Sequence, residues 1–167
     1  DGNALVEQGF FLYPDSVEAT PTPGGSMVAQ QYYYQVTYEW TDNQGNLFRS
    51  APSLPVGCLL SGANGKVTLN IPTLRITNKI KNPVSIVIYR WSTAQQTYYQ
   101  CTSINNPQLN DTSVDSIQYI DSLSDSAILG SNILYTTGSV IENISPPASD
   151  NLALFNNRLW LVDAEDR

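Results

Sequence analysis

Hydrophobic and polar residues alternate with a period of two along most of the chain, which is the spacing of strands. The clearest case sets Tyr32, Tyr34, Val36, Tyr38 and Trp40 on one face, with Tyr33, Gln35, Thr37 and Glu39 on the other. The first set is expected to face a core. A polar turn, Asp42-Asn43-Gln44-Gly45-Asn46, follows, and the chain returns over residues 47–51 until Pro52 stops it. Aromatic and β-branched residues suit a pleated, half-buried surface, and the Gly/Asn turn lets the backbone reverse.

The same reading predicts further elements. Residues 9–13 read as a short strand ended by Pro14, and Thr20-Pro21-Thr22-Pro23-Gly24-Gly25-Ser26 as a linker or loop. Residues 66–71 gather Val67, Leu69 and Ile71 on one face before Pro72. Residues 73–82, with two lysines, fit a short helix or a loop. In 84–91, Ile86, Ile88 and Arg90 oppose Val87, Tyr89 and Trp91, and 98–104 is the expected neighbour strand. A polar loop spans 105–116, and a strand over 117–120 ends at Asp121. One helical turn fits 122–129, with Ser124 and Asp125 as cap-type residues. Residues 134–141 and 152–162 read as two more strands separated by Ser145-Pro146-Pro147-Ala148-Ser149, the second folded into a hairpin at Asn156-Asn157. With no long amphipathic helix, the expectation is an all-β, antiparallel immunoglobulin/fibronectin III-like sandwich. The expected division is 1–25 as flanking strand and linker, 26–130 as the sandwich, and 131–167 as strands of an adjoining domain.

Composition narrows the function classes. A formal charge of −7, with eight basic residues among 167, opposes sequence-independent nucleic-acid binding, which needs clustered Lys and Arg. No sequence-specific nucleic-acid partner is expected either. Charged residues make up only 14%, which suits a part packed among other parts of an extracellular or virion assembly. No apolar run approaches the length of a membrane span. The opening Asp1-Gly2-Asn3 has neither a basic leader nor a starting Met, as expected of a piece of something longer. Histidine is absent, which removes Ser-His-Asp and Cys-His catalysis and imidazole metal ligands together. Cys58 and Cys101 form no CxxC and read as two buried thiols or a disulfide.

The remaining candidate chemistry is thin. Asp111, Asp115, Asp121 and Asp125 form the densest carboxylate region, but their spacing lacks the glycine of a Ca²⁺-binding EF-hand loop. The 42–46 turn superficially matches a Ca²⁺ loop and is explained by the hairpin. Glu39, Asp121 and Glu142 are the carboxylates that could hydrolyse a glycosidic bond, with no spacing that favours a pair. Gly24-Gly25-Ser26 lacks the Lys-Ser/Thr of a phosphate loop. Trp40, Trp91 and the tyrosines can stack on sugars, but most are expected in the core; the ones to watch are on the opposite face, Tyr33 and Tyr98 or Tyr99. No catalytic, cofactor or metal site is assigned, no cofactor is expected, and the chain reads as no enzyme.

Tyr34-Gln35-Val36-Thr37-Tyr38, Gly45-Asn46 and Arg49-Ser50-Ala51-Pro52-Ser53 resemble the penultimate strand, turn and close of a fibronectin type III module. Val67-Thr68-Leu69, Ile86-Val87-Ile88-Tyr89-Arg90 and Tyr98-Tyr99 resemble that module's earlier strands. The late hairpin precedes the early strands here, which implies either one permuted sandwich or the junction of two repeats. Glu7-Gln8-Gly9-Phe10, Leu134-Tyr135-Thr136-Thr137-Gly138, Pro146-Pro147-Ala148 and Phe155-Asn156-Asn157-Arg158-Leu159-Trp160 resemble tailed-phage tail-tube terminal (nozzle) proteins. That resemblance implies a sandwich inserted among propeller-type strands in a virion tail, with other tail subunits, in a homo-oligomeric ring, as partners. Both faces of the final hairpin call for cover, as at a subunit or domain contact. The alternative is a carbohydrate-binding or adhesion module of a surface protein.

Overall fold

The computed structural model describes residues 9–79, 83–134, 140–143, 149–155 and 158–163. Among these residues eleven strands run in chain order: β1 (Glu18–Met27), β2 (Gln31–Thr41), β3 (Leu47–Ser50), β4 (Val56–Leu59), β5 (Gly65–Pro72), β6 (Ser85–Ser92), β7 (Thr97–Gln100), β8 (Ser116–Asp121), β9 (Val140–Asn143), β10 (Ser149–Phe155) and β11 (Arg158–Asp163). Among the described residues the only helical element is a 3-10 turn, Asp125–Ile128. It lies where one helical turn was expected, although the Ser124 side chain makes no capping bond. The protein is an all-β sandwich of two mainly antiparallel sheets, one ordered β1-β5-β8 and the other β7-β6-β2-β3-β9, with β4 also on β2.

β2 organises the larger sheet. One edge pairs with β6 from Tyr34↔Arg90 to Glu39↔Ser85. The other pairs first with β4 (Tyr32↔Cys58) and then with β3 (Glu39↔Arg49). The opening hairpin and the Ile-Tyr-Arg strand therefore belong to one sandwich, not to two successive repeats. β3 and β4 are two halves of one return strand broken at Ser-Ala-Pro-Ser, because Pro52 cannot donate to a ladder. Serine hydroxyls fill the gap: the Tyr38 N–H donates to Ser50 Oγ at 2.9 Å and the Val36 N–H to Ser53 Oγ at 3.0 Å. Backbone groups that would be orphaned inside the fold are thereby satisfied.

The expected inward set holds. Tyr32, Tyr34, Val36 and Tyr38 are buried against Val67, Leu69 and Ile71 of β5 and Ile86 and Ile88 of β6, while Trp40 is half-buried at the rim. Along β5, every second residue is buried. The opposite face of β2 departs from a plain solvent face, because Gln35 and Thr37 are buried as well. Leu134 lies over that outer face with Val87, Tyr89 and the half-buried Tyr98, forming a second small core. Residues 132–134 reach it by pairing beside β7: Gln100 N–H donates to Asn132 O and Leu134 N–H to Tyr98 O.

Two local expectations are corrected. Residues 9–13 form no strand; Phe10 plugs into the core instead, 6.2 Å from the Tyr38 ring. Residues 20–26, read as a linker, are strand, paired with β5 through Pro21↔Val67 and Pro23↔Gly65. β1 is an edge strand, and prolines two apart direct both missing donors to one side, the side without a neighbour. The ladder shifts register after Pro23, where Gly24 adopts φ +85°. Residues 73–79 form neither helix nor strand, and Lys81 lies outside the described residues.

At the carboxyl-terminal end, β9 adds to β3 in parallel, from Leu47↔Val140 to Ser50↔Asn143. It begins later than the strand expected over 134–141, whose residues 135–139 lie outside the described ones. β10 and β11 form the expected hairpin, closing at Phe155↔Arg158; Asn156 and Asn157, and the Pro146-Pro147-Ala148 and Glu7-Gln8 motifs, lie outside the described residues.

Candidate functional site

Among the described residues, polar chemistry concentrates in one fully buried and one partly buried ion pair, one on each face of the larger sheet. Between the sheets, Arg90 of β6 meets Asp121 at the end of β8, Nη1 to Oδ2 at 2.6 Å, and both side chains are fully buried. Tyr34 Oη donates to the same carboxylate at 2.9 Å, and the Leu123 N–H donates to its other oxygen at 3.0 Å. The guanidinium also donates to the Leu123 and Ser124 carbonyls, sits 5.4 Å from the centre of the Tyr32 ring, and has Asp125 at 3.4 Å. Burial, the largest single influence, would lower the Arg90 pKa, but the Asp121 carboxylate together with Cys101 and Tyr34 holds the group above its ordinary value. Burial, then Asp121, push the Tyr34 phenol well above the usual tyrosine range. The Cys101 thiol, 4.0 Å from Asp121, is pushed up by its burial as well. These groups fasten β8 and the 3-10 turn to the opposite sheet; of them only Asp125 reaches solvent.

On the outer face, Arg49 Nε donates to Glu39 Oε1 at 2.7 Å, Nη2 to Tyr89 Oη at 3.0 Å, and Nη1 to the Leu134 carbonyl at 2.5 Å. Tyr89 Oη donates in turn to Glu39 at 2.8 Å. Four distant stretches of chain are thereby clasped together. A cleft of about 500 Å³ opens beside it, lined by Glu39, Trp40, Leu47, Ser85, Val87 and Ile104 among others. Its carboxylate, Glu39, is already engaged by Arg49.

The candidate carboxylates are therefore dispersed. Asp121 is a core ion-pair partner. Asp115 pairs with Arg75 on the surface, Asp111 accepts from the Ser113 N–H and hydroxyl, and Asp125 accepts from Gln30 Nε2 at 2.7 Å. Among the described residues no group of three or more acidic, Cys or His side chains could hold a metal ion. Glu39 and Asp121 lie on opposite faces of one sheet, each holding an arginine, so they form no acid/base pair; the Glu142 side chain lies outside the described residues. Asp42 closes its own turn, accepting from Gln44 N–H, Asn46 N–H and Asn46 Nδ2. The Asn46 amide chiefly holds its carboxyl below the usual range. Gly24 and Gly25 donate their N–H groups to the Asn64 carbonyl, as a strand bulge and not as an anion cradle. Cys58 and Cys101 are both buried free thiols.

The aromatics assemble only in part. Tyr33 is paired with Gly57 of β4, and Trp91 with Tyr98 of β7. The β2–β6 ladder ends at Tyr34↔Arg90, one position short of both Tyr33 and Trp91. Trp91 and Tyr98 pack edge to face at 5.1 Å, and Tyr98 also packs on the Leu134 cluster. Tyr99 is corrected out of the outward set: it packs on the main core from the other side of β7. Trp40 packs with Phe48 at 5.6 Å at the rim of the core, apart from the Trp91–Tyr98 pair.

Several organising residues carried no flag in the sequence. Arg49 was visible only as part of Arg-Ser-Ala-Pro-Ser. Lys79 is buried, with its ammonium 5.0 Å from the Phe10 ring and 5.1 Å from Trp40. Only alternation offers a signal, since Arg90 fell on the inward face of β6, where a cation requires a partner. No family model, curated protein or solved structure compared with this chain matches it.

Proposed function

We propose that this chain is a non-enzymatic structural segment of a tailed-phage tail component, a sandwich carried as an insertion by a larger body and working through subunit contacts around the tail channel. The observation that carries this reading is the shared location of the entering and leaving chain. Phe10 packs on Tyr38 and under Lys79, Lys79 lies over Trp40, Trp40 packs on Phe48, and Phe48 is paired with Ile141 of β9. An inserted domain needs its two connections at one end. The same end exposes Phe11, Leu12 and Ile76 around a hollow of about 190 Å³, an apolar patch suited to a neighbouring subunit or to the carrier body. The Asn-Arg-Leu-Trp hairpin and the fibronectin-like motifs support the same assignment. The net charge of −7 suits a channel wall, because like charge repels DNA and prevents sticking. Acidic residues mapped to the outside of an assembled ring would remove that role. The test of the whole reading is whether the protein in its full natural length closes into a ring.

A further inference from the structure

The smaller sheet has two edges, and only one of them is guarded. On β1, two prolines and the register shift after Pro23 interrupt the backbone ladder that another strand would need. β8, at the other edge, has no proline and no register shift, and its one charged residue, Asp121, is turned inward to Arg90. We propose that β8 is a self-association edge. It pairs antiparallel with β8 of a second copy of this chain, across a two-fold axis at Gln118, and joins the two smaller sheets into one.

The phase of the β5–β8 ladder decides what this edge offers. Just beyond the strand ends, the Thr73 N–H donates to the Asp115 carbonyl at 3.0 Å. Alternation from that bond makes Ile117, Tyr119 and Asp121 exchange hydrogen bonds with Ile71, Leu69 and Val67 of β5. The prolines agree: Pro21 cannot donate to its partner Val67, whose backbone groups serve Asp121 on the other side. Ser116, Gln118 and Ile120 therefore direct their N–H and C=O groups away from β5, to a side where no other described strand lies. Their side chains are exposed as well.

That edge is complementary to itself. With Gln118 opposite its own counterpart, Ser116 falls opposite Ile120, and every outward N–H meets an outward C=O. A slip of one position would bring groups already bonded to β5 to the seam, so the phase selects the register. On the core side of the sheet, Ile117 falls opposite Tyr119; both are half-buried in one copy and gain cover in the pair. Residues 116–120 hold no charge, so a chain of net charge −7 meets its copy there without like-charge contact. The flanking Asp115 and Asp121, which face one another in this register, already hold Arg75 and Arg90. A two-fold contact closes on itself, so it links copies in pairs and does not build the ring proposed above; either reading can fail alone.

The test is disulfide trapping in the protein in its full natural length. Opposed residues that exchange both hydrogen bonds stand about 5.5 Å apart at Cα, a separation that a disulfide spans. The native thiols, Cys58 and Cys101, are buried. Under mild oxidation, Gln118→Cys is expected to link two copies at least tenfold faster than Thr20→Cys, an exposed position on the opposite edge. Ser116→Cys is expected to link efficiently only when Ile120→Cys is present with it. Adding Gln118→Pro to that pair removes an outward N–H and no bond to β5, so the linkage should be lost while circular dichroism shows the fold kept. Linking of Gln118→Cys no faster than Thr20→Cys overturns the proposal. So does linkage of the Ser116/Ile120 pair that survives Gln118→Pro, or Ser116→Cys linking as readily alone.

Discussion

Asp121 is the residue on which the two sheets depend most. Its carboxylate receives Arg90, Tyr34 and a backbone N–H in an environment without water access. Removing one partner of a buried pair leaves the other charge uncompensated, which costs about 3–5 kcal/mol. Asp121→Asn is therefore expected to lower unfolding free energy by that order in urea titration. Arg90→Met combined with Asp121→Leu is expected to cost clearly less than the sum of the two single changes. Purely additive losses would show that the pair is not coupled. From the sequence, Asp121 stood out as an acidic residue closing a strand and as one of the candidate Ca²⁺ or glycosidase carboxylates, not as an ion-pair partner. Its partner lies 31 positions away, and local pattern does not register such a pairing. The placement of Arg90 on one face with Ile86 and Ile88 was legible, because a period of two fixes which side chains share a face.

Elements were more legible than the chemistry that joins them. β5 and β8 follow their alternation closely, because each has one face in the core, whereas β2 and β6 are buried on part of the other face as well. β1 was hidden, since Thr-Pro-Thr-Pro-Gly-Gly reads as a breaker unless the strand is known to be an edge. Phe10 was misread for the opposite reason: a run of apolar residues looked like a strand but supplies a single plug. The Ser-Ala-Pro-Ser break shows how an interrupted strand stays paired. Ser53 accepts the Val36 N–H through its hydroxyl and donates its own N–H to the Val36 carbonyl at 2.8 Å. Ser53→Ala leaves a buried N–H without an acceptor, so a loss of about 1–3 kcal/mol is expected in the urea midpoint. A midpoint unchanged by the substitution would mean that the hydroxyls are not bridging the gap.

At the scale of the whole molecule, the buried tyrosines tie stability to alkaline pH. Tyr34 and Tyr89 are fully enclosed, and Tyr38 Oη donates to the Pro72 carbonyl at 2.8 Å. Burial, first among the causes, raises each phenol above its unfolded value of about 10. A raised pKa keeps the neutral form in the folded state. Its stabilisation is therefore complete below pH 10 and lost as pH climbs beyond it, at roughly 1.4 kcal/mol per pH unit for each such tyrosine. The urea midpoint should hold steady from about pH 8 to 9 and fall steeply by about pH 11. A flat profile through that range would contradict the burial of these phenols. The same scale decides function. An all-β sandwich with Phe10 and β9 at the same end, and an apolar hollow beside them, suits the proposed role of a part carried by a larger body. Native mass spectrometry of the protein in its full natural length tests this most directly. A single closed ring of defined stoichiometry is the predicted result; a protein that stays monomeric at every accessible concentration would contradict the account.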